Sequence, residues 1–131
     1  MEIATQQLTL EQLRGELRRF SAWLGERGVP SANVLYGWGC EESDIQYEAI
    51  PVATSDIEEY LERGRQAGFF NYGDADVLIT ADNSEFCLCH EADVHFKSED
   101  RDLVEAVKAQ WLSAGWTVHQ QAEPGPEWTK L

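Results

Sequence analysis

The chain has 131 residues and a mass of 14.8 kDa, the length of one domain. Its composition, 43% hydrophobic and 26% charged, excludes wholesale disorder, a collagen-like fibre and a disulfide-stapled miniprotein. With 24 acidic against 10 basic residues the formal charge is −14, which argues against binding DNA or RNA through phosphates and against docking on an anionic membrane.

The N-terminal run Met1 to Gln7 has no positively charged segment and no long apolar stretch, so it does not read as a secretory signal. Thr9 and Gln12 form a capping-box pattern, and Leu10, Leu13, Leu17, Phe20 and Leu24 follow at helical spacing. This predicts an amphipathic helix that Gly28 and Pro30 end. A strand is expected over 33–38, and a second over Ile45 to Ile50, ending near Pro51 and Val52. Ser55 and Glu58 repeat the capping-box pattern and predict a short helix over about 56–67, stopped by Gly68.

Val77 to Thr80 and Phe86 to Cys89 flank the turn-forming Ala81-Asp82-Asn83-Ser84, so residues 76–90 read as a hairpin. Ala92 to Phe96 continues as an extended piece. Ser98 is expected to cap a third helix, in which Leu103, Val107 and Trp111 share one face until Gly115. Trp116 to His119 is a last strand. The expected fold class is α+β: a single two-layer domain over 1–120, with an antiparallel or mixed sheet of four to five strands covered by three helices. Residues 121–131, with Pro124, Gly125 and Pro126, read as a C-terminal tail.

Charge is spread unevenly. Residues 1–32 carry four acids and four bases, whereas residues 33–62 carry eight acids and no base. A pole of one sign is either a solvated face or a steering surface for a basic protein. Tryptophan and tyrosine are favoured interface anchors. A partner-binding face is therefore expected from Tyr36, Trp38 and Tyr47, rimmed by Glu41, Glu42, Asp44 and Glu48.

The rival centre is the run Cys87 to His95. It offers Cys87, Cys89, His90, Glu91, Asp93 and His95 as nucleophile, acid–base or metal-ligand groups. Only one residue separates the two cysteines, whereas structural zinc spacings place about two residues between paired cysteines. The two histidines lie in an extended segment and not at His-Glu-x-x-His spacing. Asp74, Asp76 and Asp82 resemble the start of a calcium loop but lack the glycine and glutamate that complete it. Phosphate-loop, dinucleotide and nucleophile-elbow motifs are absent from the sequence. No catalytic residue, cofactor or metal is assigned on this basis. The odd cysteine count, Cys40, Cys87 and Cys89, fits reduced thiols and a cytoplasmic location.

The expected function is a small acidic protein-binding module, similar in kind to bacterial immunity proteins and other inhibitors. It would sequester a basic toxin or nuclease through its acidic, aromatic-bearing face. The alternative is a small enzyme or a metal- or ligand-binding domain using Cys87 to His95.

Overall fold

The computed structural model describes residues 1–121, with the side chain of Gln121 left aside; the expected tail lies almost wholly outside these residues. Among the described residues, seven antiparallel strands form one sheet: β1 (Glu2–Thr5), β2 (Ser31–Tyr36), β3 (Ala49–Ala53), β4 (Val77–Ala81), β5 (Ser84–Leu88), β6 (Val94–Ser98) and β7 (Val118–Gln121). Their spatial order is β3-β2-β4-β5-β6-β1-β7. Three α-helices complete the α+β fold: α1 (Leu10–Glu26), α2 (Ile57–Gln66) and α3 (Arg101–Ser113). No helix among the described residues is long and apolar enough to cross a membrane.

The sheet exceeds the expected four to five strands, mainly because β1 carries no alternating pattern. Ile3, Ala4 and Thr5 are all buried, since β1 is inserted between β6 and β7 and pairs with both. The strand expected from Ile45 forms only over Ala49–Ala53; the residues before it turn. Pro51 is tolerated there because β3 is an edge strand, where one missing N–H breaks no inner ladder.

The capping box of α1 is present. Gln12 N–H donates to Thr9 Oγ1 at 3.2 Å, and Thr9 N–H donates to Gln12 Oε1 at 2.9 Å. The other two caps differ from expectation. A short 3-10 turn over Thr54–Asp56 precedes α2, and Ser55 makes no cap. Ser98 ends β6, and Asp100 caps α3 by accepting from Asp102 N–H at 3.0 Å.

The helices cover one sheet face. Register aligns Val34, Ile79, Phe86, Phe96 and Ile3 across five strands, and all five are buried. Phe20 of α1 stacks on Phe86 at 4.5 Å between ring centroids. Tyr60 of α2 stacks on Tyr36 at 5.9 Å. Trp111 of α3 is buried, and its indole N–H donates to Glu16 of α1 at 2.8 Å. The opposite face presents Leu35, Leu78, Cys87 and His95 in one half-buried row. Two features converge at one end of the sheet: the loop after β2 and the turn between β5 and β6.

Candidate functional site

The loop from Gly37 to Glu48 leaves β2 and returns as β3. Its backbone is pinned to the strand beside it: Gly37 N–H donates to Asp76 O and Asp76 N–H to Trp38 O, both at 2.8 Å. Gly39 has φ 83°, and a Cβ there would lie 2.6 Å from Asp74 O, so only glycine fits. Inside the loop, Gln46 Nε2 donates to Gly37 O at 3.1 Å and to Cys40 O at 3.3 Å. Glu41 N–H reaches across to Phe69 O at 2.8 Å. The Cys40 side chain is buried, and loss of solvent pushes its thiol up to about 11.

This braced loop holds two aromatic rings in solvent. Trp38 is 59% exposed and Tyr47 60% exposed. Tyr47 sits at φ 63°, a left-handed conformation that costs a bulky residue about 1–3 kcal/mol. The strain is held in place because Tyr47 N–H donates to Tyr36 O at 2.8 Å. Glu41, Glu42, Asp44 and Glu48 are exposed on the same loop, and none forms an ion pair among the described residues.

Tyr36 does not belong to this face. It is 3% exposed and packs among Tyr60, Phe69 and Phe70. It alternates inward with Ala32 and Val34, whereas the Gly37-Trp38-Gly39 break lets Trp38 turn outward. Gly64 of α2 is the position that makes room, because a Cβ there would collide with Tyr36 Oη. The acidic residues of α2 are also a separate population. Glu58 pairs with Arg18 at 3.3 Å, Glu59 with Arg63 at 2.7 Å, and Glu62 with both Arg14 and Arg65.

The Cys87–His95 run divides similarly. Cys87 lies in β5 directly opposite His95, with its thiol pushed well above the ordinary range by burial. Glu91 is exposed on the turn. Cys89, His90, Asp93 and His95 gather at the strand ends, joined by two residues that the sequence pattern did not place there. One is Asp76, whose Oδ1 accepts from His90 N–H at 2.7 Å and lies 2.8 Å from His90 Nδ1. The other is Glu2, whose Oε2 is 2.9 Å from His95 Nδ1. Asp82, at the far end of β4, pairs with Arg27 at 2.8 Å, so Asp74, Asp76 and Asp82 do not converge on a calcium loop.

His95 is bridged on both sides, with Nε2 lying 3.0 Å from Asp93 Oδ2. Its contacts with Asp93, Cys89 and Glu2 push it up to about 12, which keeps the ring protonated when nothing displaces the proton. Burial disfavours ionisation of Asp93, but its contacts with His95, Cys89 and the backbone together outweigh burial and hold the carboxyl below its usual range. The Glu2 carboxyl is lowered by the same ring.

The two features touch. The Trp38 ring lies against His90, with centroids 4.6 Å apart and planes inclined by 55°. The exposed aromatic loop and the Cys/His/Asp cluster are therefore one continuous surface. No protein-family model matches the chain, and no curated protein or solved structure is significantly similar to it.

Proposed function

We propose that the protein is a binding module that sequesters a basic protein partner, in the manner of a bacterial immunity-type inhibitor. One observation carries this reading: four exposed carboxylates without ion-pair partners among the described residues share one loop, braced at both ends, with two exposed aromatic rings. Placing Trp38 and Tyr47 in water sacrifices burial, and Tyr47 adds backbone strain. Both costs are recovered if the rings enter a partner's surface. Their faces suit guanidinium groups, and the carboxylates of the same loop suit Lys and Arg. Bracing lowers the ordering cost of association. The rings and Glu41, Glu42, Asp44 and Glu48 would occlude the partner's basic site, with charge accelerating encounter and desolvated contacts slowing release. The partner class is a toxin domain or nuclease with a basic active surface. Three free cysteines fit action in a reducing compartment, the cytoplasm.

The test is affinity capture from source-cell lysate, run in parallel with the wild-type chain and the Trp38→Ala/Tyr47→Ala double variant. The expected result is one stoichiometric basic protein retained by the wild type, lost with the double variant and inhibited in its own activity on binding. A partner held equally by both baits removes the loop from the interface.

A further inference from the structure

The turn between β5 and β6 folds the chain back on itself within a few residues. Cys89 N–H donates to Asp93 O at 2.9 Å, Ala92 N–H donates to Cys89 O at 3.1 Å, and Ala92 has φ 64°. This brings the Cys89 thiol, the Asp93 carboxylate and the His95 ring together, with one ligand atom of each within 4.8 Å of the others. We propose that Cys89, Asp93 and His95 Nε2 hold one zinc ion, with Glu2 orienting the histidine from behind. The site is independent of the partner-binding reading.

Three observations support it. Asp93 Oδ1 is buried and has no hydrogen-bond partner among the described residues, while Oδ2 faces His95. A buried unpartnered carboxylate oxygen is costly, and an ion is one of the groups that satisfies it. Second, Glu2 approaches Nδ1 and leaves Nε2 toward Asp93. A carboxylate on the far ring nitrogen is the usual outer partner of a zinc-binding histidine, fixing its tautomer and raising its basicity. Third, the donor set decides among metals. Thiolate, imidazole and carboxylate suit zinc, whereas calcium and magnesium select oxygen alone.

Zinc with these three ligands has ligand atoms about 3.3–3.6 Å apart. His95 Nε2 already lies 3.0 Å from Asp93 Oδ2, so the ion would replace that contact, and binding releases two protons to solvent, one from the His95 ring and one from the Cys89 thiol. The fourth position is left to water. A second group, Asp76, Cys89 and His90, shares the same thiol. It is the weaker host because His90 has no close carboxylate on its far nitrogen, Glu91 lying 3.9 Å from Nε2, and its ring lies against Trp38.

The experiment titrates Zn²⁺ and Co²⁺ into untagged, chelator-treated full chain. One Zn²⁺ per chain and a thiolate-to-cobalt charge-transfer band are expected. Cys89→Ser should abolish the band. His95→Gln should weaken zinc binding at least tenfold, and Glu2→Gln about 10–100-fold, the range for an outer-sphere partner. His90→Gln should keep stoichiometric zinc. Far-ultraviolet circular dichroism confirms that each variant is folded, and the wild-type cobalt spectrum needs no variant at all. Failure of the wild type to bind one ion overturns the proposal. So does zinc that survives His95→Gln and is lost with His90→Gln, since that places the ion on the Asp76 side.

Discussion

The loop from Gly37 to Glu48 and helix α2 divide the acid-rich stretch between them, yet their carboxylates differ in kind. On α2, Glu58, Glu59 and Glu62 each face an arginine, with Arg14 and Arg18 supplied by α1. On the loop, Glu41, Glu42, Asp44 and Glu48 face solvent, as do the two exposed rings. The helical acids fasten two elements of one molecule and are largely neutralised. The loop acids leave a net field for something outside the molecule. Formal charge counts both alike, but only unpaired charge steers a partner.

The sharpest way to break this comparison is at two residues a single glycine apart. Tyr36 is the floor of the α2 interface, and Trp38 is the top of the loop. Tyr36→Ala should destabilise the protein by about 3–5 kcal/mol, the usual cost of emptying a buried aromatic site. Tyr36→Phe should be neutral or stabilising, because the buried Tyr36 hydroxyl has no partner among the described residues. Trp38→Ala should change stability by less than about 1 kcal/mol while removing partner binding. Urea midpoints decide this. Equal losses at Tyr36 and Trp38 would make both residues structural.

Thiol chemistry tests whether the loop is held as a unit. Burial raises the Cys40 thiol from an ordinary 9.0 to about 11. A raised thiol pKa means less thiolate at a given pH, here about 100-fold less near pH 8, and hence slower alkylation. Cys40 should therefore label about 100-fold more slowly in the folded protein than in urea, as read by mass spectrometry of the Cys40 peptide. Labelling at the unfolded rate would mean that the loop opens freely, and the rings would lose their pre-organisation.

Much of the fold is legible in the sequence. The first helix is written in Thr9, Gln12 and one apolar stripe. The β4–β5 hairpin follows from Asp82 and Asn83, which both take positive φ, 50° and 61°, as a tight two-residue turn demands. Counting outward from that turn sets Asp76 opposite Cys89, just beyond the Val77–Leu88 pair, so the local pattern also contains the signal for the partner of His90. The features that are not legible depend on distant partners. β1 pairs with strands more than ninety residues away, so nothing local marks Glu2 as a neighbour of His95. Ser55 and Ser98 fit a capping pattern, but tertiary contacts place the helix starts elsewhere. Tyr36 and Trp38 look equivalent in composition, and only the break at Gly37 sends them to opposite sides.

The smallest expected effect bears most directly on the comparison. In the triple variant Glu41→Gln/Glu42→Gln/Asp44→Asn, association with the captured partner at low salt should slow by about tenfold, the scale on which steering charges act. Its stability should stay within about 0.5 kcal/mol, as expected when exposed charges have no ion pair to lose. The control is Glu58→Gln/Glu59→Gln on α2. It should leave the association rate within about twofold and instead cost less than about 1 kcal/mol per ion pair, since exposed pairs are screened. Raising salt should shrink the rate difference, because the Debye length falls from about 30 Å at 0.01 M to about 8 Å at physiological ionic strength. Stopped-flow rates at two salt concentrations separate the cases. If the helix variant slows association as much as the loop variant, arginine pairing does not silence a carboxylate, and the whole acidic stretch acts as one field.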